Sequence, residues 1–157
     1  MIVVEYPACL HKIAEQMGNA RGLMNQYKNR PKKYDREDKN DYVNTIGVLG
    51  ELIILHFLEE SKIEYKMVNL VDNYSSKNAD FVVNNQRLDV KCKADNYPTF
   101  ILHKESHTKG KGLIDYYVFV YVKSKTTAEI HKFSYQDVEE WQEKDLKYGT
   151  VKYIAIN

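Results

Sequence analysis

The sequence predicts a single α/β domain. Its 157 residues suit one domain built around one substantial hydrophobic core. Two long stretches before residue 61 carry apolar residues at helical spacing, and from Ile63 onward the period drops to two. No internal repeat or domain-sized linker interrupts this order.

Met1 to Leu10 is a short apolar run broken by Glu5 and Pro7, without the basic flank of a signal peptide. Ala8 to about Lys28 reads as a helix, with Leu10, Ile13, Met17, Leu23, Met24 and Tyr27 as a loose stripe weakened by Gly18 and Gly22. Lys28 to Lys39 reads as a loop, with six basic and three acidic side chains and one proline. Asp41 is placed to cap a second helix from about Tyr42 to Ser61. That helix is apolar on most sides and therefore central.

Ile63, Tyr65 and Met67 mark a strand ending near Leu70, and Asp72 to Asn78 a polar turn. Ala79 to Val83 and Gln86 to Lys93 form a hairpin about Asn84-Asn85, because asparagine tolerates positive φ. Between Ala94 and Gly112 the pattern supports only a short extended piece, Thr99 to Leu102, and a helical turn. Leu113 to Lys123 is the most β-branched and aromatic run, hence a buried central strand, with Glu129 to Phe133 as its antiparallel neighbour. Ser134 and Asp137 resemble a capping box opening a helix to about Leu146, and Val151 to Ile156 is the last strand.

Composition narrows the function classes. Lysine and arginine number 23 against 22 acidic residues, so no global field attracts a polyanion, and any such site must come from local clustering. That balance counts against a high-affinity, non-specific nucleic-acid binder. Cys9 and Cys92 have no zinc-site spacing and make no disulfide framework. Cys92 alternates with apolar residues, as a small core residue does. No apolar run approaches the roughly 20 residues that span a bilayer. Together these features predict a reduced, cytoplasmic chain with no membrane partner. A P-loop, a dinucleotide glycine fingerprint and a CxxC pair are all missing from the sequence.

The hairpin carries the chemistry. A two-residue turn at Asn84-Asn85 sets Phe81 opposite Leu88 and Asp80 opposite Asp89, with Cβ atoms about 5 Å apart. Two carboxylates so close repel each other, and a hard divalent cation removes the objection. Alternation sends Leu88, Val90 and Cys92 to one face and Asp89, Lys91 and Lys93 to the other. Acids to hold an ion and an amine to meet developing charge are what phosphodiester hydrolysis needs. The same alternation also fits the solvated face of an ordinary amphipathic strand.

The arrangement A-D-(x8)-D-V-K, Asp80 to Lys91, resembles the PD-(D/E)XK motif of the restriction-endonuclease-like nucleases. G-V-L-G-E, Gly47 to Glu51, resembles the helix that supplies a further acid in that family. Glu51 is the only acid in the apolar span Val43 to Leu58, where an unpaired charge is costly, and Gly47 and Gly50 permit close backbone approach. A tightly packed helix with Glu51 at its rim is the plainer alternative. The resemblance spans roughly Thr45 to Lys123, with Ala79 in place of the motif's proline. The family's helix after the lysine strand would here be short, about Lys104 to Lys109, or replaced.

The resemblance implies a mixed β-sheet flanked by α-helices and Mg²⁺- or Mn²⁺-dependent cleavage of nucleic acid, DNA in preference to RNA. Asp80, Asp89 and the Val90 carbonyl would ligate the ion, and Glu51 would hold a water beside it or a second ion. Lys91 would orient the attacking water. Lys93, His103, Lys104, Lys109 and Lys111 could contact the nucleic-acid backbone, although surface lysines are common. Tyr97 and Phe100, flanking Pro98, could stack on a base or cover a core edge. The order of His103-Lys-Glu-Ser-His107 is wrong for a zinc-protease helix. The acidic helix from Asp137 to Asp145 should face away from a polyanion, with Trp141 as a packing anchor. A homodimer or a delivery partner is compatible with the balanced charge. So is a catalytically inactive module of the same fold that binds DNA or a protein.

Overall fold

The computed structural model describes residues 1–28, 40–67, 70–71 and 79–156, with backbone alone at 40 and 41. The charged loop expected up to Lys39 and the turn from Asp72 to Asn78 lie outside those residues. The chain runs β1 (Ile2–Glu5), α1 (Cys9–Tyr27), α2 (Asn40–Glu60), β2 (Lys66–Met67), β3 (Phe81–Val83), β4 (Gln86–Lys93) and β5 (Thr99–His103). It continues through α3 (Lys104–Lys109), β6 (Tyr116–Val122), β7 (Thr127–Ser134), α4 (Tyr135–Glu139), β8 (Gln142–Leu146) and β9 (Gly149–Ala155).

The fold is mixed α/β, with a curled mixed sheet and flanking helices. Six strands lie in the order β1-β7-β6-β4-β3-β2, and β5-β9-β8 form a second, three-stranded sheet. Within the larger sheet β4 and β6 are parallel and the other pairs antiparallel.

Strand β6 explains the layering. Tyr116, Val118, Val120 and Val122 join a core with Val48, Leu49, Leu52 and Ile53 of α2. Tyr117, Phe119 and Tyr121 point the other way and join Phe100, Leu102, Val138 and Trp141. A strand apolar on both faces must be covered on both, which is why its run reads as continuous rather than alternating. Trp141 is the expected anchor and is buried in this second core.

Helix α2 holds the expected cap Asp41 inside its described helical span Asn40–Glu60. Its span Tyr42–Glu60 has 19 residues and a mean hydropathy of 1.3, long and apolar enough by those measures to cross a membrane. That corrects the expectation that no run came near such a length. In this fold α1 and β4 pack against it.

Three further expectations change. The opening apolar run is strand β1, paired with β7 from Ile2↔Ile130 to Glu5↔Thr127. The strand expected from Ile63 begins only at Lys66, and its expected end near Leu70 adjoins residues 68–69, outside those described. The capping box of Ser134 and Asp137 does open α4, but the helix stops at Glu139, and Gln142–Leu146 becomes β8 instead of helix. The competing interaction is a hairpin: β8 pairs with β9 from Gln142↔Tyr153 to Leu146↔Gly149, and Gly149 takes φ +120° at the turn. That backbone conformation is open to glycine.

Candidate active site

Asn84 and Asn85 adopt φ of 50° and 61°, as a tight hairpin turn of mirror-image type requires. The register follows: Val83↔Gln86, Val82↔Arg87 and Phe81↔Leu88. Pairing stops there. Asp80 therefore does not sit as a simple cross-strand partner of Asp89; its Oδ2 accepts the backbone N–H of Val90 at 2.7 Å. Asp80 lies at the gap that opens where β3 has ended and β4 runs on.

The same bond locates the Val90 carbonyl. In an extended strand one residue's N–H and C=O point to the same edge. Arg87, three residues back, offers its carbonyl to Asp115 N on the β6 side, so alternation turns both polar groups of Val90 toward Asp80.

Asp89 and Lys91 occupy the face of β4 opposite α2, with Leu88 and Val90 buried behind them. Lys91 Nζ lies 2.7 Å from Asp89 Oδ2, and both side chains reach solvent. Two independent anchors hold this strand. Gly50 of α2 faces Cys92 so closely that an added Cβ would stand 2.6 Å from the cysteine Cβ. Asp115 fastens the start of β4, accepting Arg87 N at 2.7 Å, Nε at 3.0 Å and Nη2 at 2.9 Å.

Glu51 is 4 % exposed and does not stand alone. Arg21 of α1, itself 6 % exposed, donates from Nη2 to both carboxylate oxygens at 3.1 and 3.3 Å and from Nε to the Leu70 carbonyl at 2.7 Å. The sequence reading missed Arg21. A signal existed: Ala14, Gly18 and Arg21 are the buried positions of α1, so a charged residue stands on the helix's inward stripe. A buried cation opposite a buried lone acid is the pairing that low dielectric demands.

The four residues expected at the site act on one another electrostatically. Burial, then the charges of Asp89 and Glu51, push the Asp80 carboxyl up to about 8 from 3.8. Burial raises Glu51 as well, against the pull of Arg21, with Asp89 adding to the rise and Lys91 opposing it. Burial works against the Lys91 ammonium, yet Asp89, Asp80 and Glu51 outweigh it and hold its pKa above the usual lysine value. Lys91 is thus a cation set among acids.

The flanking residues divide. Lys93 is ion-paired with Asp95, Lys104 with Glu143 at 2.9 Å, and Lys109 with Glu105 at 2.6 Å. Lys111 is exposed and His103 half-buried, on either side of α3. Tyr97 is exposed, with Lys93 Nζ 6.0 Å from its ring centroid, whereas Phe100 is buried in the second core. The expected acidic helix ends early, leaving Glu143 and Asp145 on β8.

His107 is 1 % exposed, with Nε2 2.5 Å from Glu139 Oε2, Nδ1 3.0 Å from the Tyr117 hydroxyl and Tyr135 stacked at 4.0 Å. Tyr117 is the register partner of Asp89, so this buried chain ends beside the site. Only structure brings these residues together.

Hard oxygen donors suit Mg²⁺ or Mn²⁺; Asp80, the carbonyl of Val90 whose N–H it accepts, and Asp89 on the adjoining face of β4 are the donors that would hold one. Among the described residues no three His, Cys, Asp or Glu side chains form a group able to hold an ion. No protein-family model and no curated protein matches the chain.

Proposed function

We propose that the chain is a divalent-metal-dependent nuclease of the restriction-endonuclease-like type, cutting nucleic-acid phosphodiesters and DNA in preference to RNA. The observation that carries this reading is Asp80 on the Val90 amide. A buried acid is held at a strand break beside a second acid and a lysine, at a cost that stability alone does not explain. The order of elements from α2 to β6 and the parallel β4–β6 pair support it further.

Asp80, Asp89 and the Val90 carbonyl would hold Mg²⁺, which supplies Lewis-acid polarisation of the phosphate when bound. Lys91 aligns a water for attack on phosphorus and meets the negative charge that builds on the non-bridging oxygens. The ester bond to the departing sugar oxygen breaks as the new P–O bond forms, leaving a phosphomonoester and a hydroxyl. Asp89 keeps the Lys91 ammonium charged and in place.

One observation favours a second reading. Asp89 is already paired with Lys91 and Glu51 with Arg21, a self-satisfied arrangement that a non-catalytic module of this fold could keep for binding DNA or a protein. Incubation with plasmid, linear duplex, single strands and RNA, in Mg²⁺, Mn²⁺ or EDTA, separates the two. Cleavage that EDTA abolishes supports the nuclease. Binding without cleavage of any substrate supports the module.

A further inference from the structure

We infer that Arg21 is a positioning residue for the acidic centre: it holds Glu51 in a buried ion pair, out of the ion's ligand set, so that the centre takes a single divalent ion on Asp80 and Asp89. The inference rests on the nuclease reading and decides between the two roles open to Glu51.

The geometry starts at the helix crossing. Gly47 of α2 faces Arg21, whose Nη1 would lie 3.3 Å from a Cβ there, so the guanidinium lies against α2 one turn before Glu51. It then spans Glu51 Oε1 and Oε2 with one nitrogen while Nε is fixed to Leu70 O. Both carboxylate oxygens are thus engaged by a cation that is itself anchored. A forked guanidinium held this way competes directly with an ion for the same lone pairs.

Charge leads to the same conclusion. Glu51, Asp80 and Asp89 against Arg21 and Lys91 leave one net negative charge. A single divalent ion and one phosphodiester bring the assembled centre to neutrality; a second ion would leave it strongly positive in a partly buried place. What remains for Glu51 is to accept from a water beside the ion, with Arg21 fixing where that acceptor stands.

The test is Mn²⁺ binding by calorimetry, with no substrate present. Arg21→Gln/Glu51→Gln removes both charges, keeps hydrogen-bonding amides and leaves the net charge of the centre unchanged. It should bind Mn²⁺ within about threefold of the unaltered chain, since coupling energies of 1–3 kcal/mol begin at about fivefold. Arg21→Gln alone frees Glu51 and should tighten Mn²⁺ about tenfold, one decade being about 1.4 kcal/mol. Its thermal midpoint, lowered in EDTA, should recover with Mn²⁺ by more than the unaltered chain gains. A purely structural arginine would lower the midpoint without changing ion affinity. A tenfold or greater loss in the paired variant overturns the inference, and so does unchanged affinity in folded Arg21→Gln. If Arg21→Gln does not fold, Arg21→Lys, whose ammonium lacks the planar fork that engages Glu51 and Leu70 together, is read in its place, and unchanged Mn²⁺ affinity there overturns the inference. No Mn²⁺ uptake by the unaltered chain overturns the nuclease reading and this inference together; uptake followed by loss in the paired variant overturns the inference alone.

Discussion

The Val90 amide, two residues past Leu88 of the last β3–β4 register pair, donates to Asp80 Oδ2 at 2.7 Å. A buried carboxylate is thereby drawn into the edge of the sheet, at the point where strand pairing has lapsed. Everything proposed for the site turns on that placement. The bond fixes the carboxyl but offsets only part of its desolvation, so its pKa stays raised.

Asp80→Asn should stabilise the ion-free protein at high pH. A carboxyl raised to about 8 keeps a proton in the folded chain that the unfolded chain releases near 4. The native state then binds more protons across that window, so stability falls as pH rises through it and the full penalty is present above about 8. Asparagine keeps an acceptor for Val90 N–H and carries no charge. Melting in EDTA should show the variant several degrees higher at pH 9 and little different at pH 5, at roughly 2–4 °C per kcal/mol for a chain of this size. A lower midpoint at pH 9 would show that the acid is there for stability.

Asp115→Asn should cost stability with the opposite pH signature. Arg87 holds the Asp115 carboxyl down at about 2, first through the side-chain hydrogen bonds and then through the backbone N–H. That contribution is present above the unfolded value near 4 and is lost as pH falls toward 2. The pair is partly exposed, so screening keeps it small. Denaturant midpoints of the two proteins should differ at pH 6 and converge near pH 2; a gap that stays constant contradicts the assignment.

Gly50→Ala should destabilise the fold more than Gly47→Ala. At Gly50 the new methyl meets the Cβ of Cys92, which is bonded directly to the β4 backbone and moves only if the strand moves. Overpacking of this kind costs about 1–3 kcal/mol, against about 1 kcal/mol returned by helix propensity. At Gly47 the nearest atom is the far end of the Arg21 side chain. Equal chemical-denaturation midpoints for the two variants would count against the close α2–β4 contact.

Those contrasts reflect what local sequence encodes. The Asn84-Asn85 turn and its register were legible because turn chemistry is decided by two residues and their φ angles. The central position of α2 was legible from its apolar run, and the close approach at Gly50 from the glycine itself. The Asp80 orientation was not, since it depends on where β3 stops pairing. Arg21 was visible only as a charge on an apolar stripe, without its partner across the helix crossing. The β8 strand was missed because Gln142–Leu146 is exposed throughout, and its strand state comes from β9 alone. The chain from Asp89 through Tyr117 and His107 to Glu139 joins four elements far apart in sequence, and no spacing announces it.

Cleavage of an end-labelled DNA oligonucleotide in Mg²⁺, by the unaltered chain, Asp89→Asn and Lys91→Ala side by side, tests the central claim most directly. The account predicts cutting by the unaltered protein that EDTA stops. Each variant, shown by its melt to be folded, should cut on the order of 10²–10³ slower if oxyanion donors are a fair guide. Equal rates for all three proteins, or cutting that persists in EDTA, would contradict it.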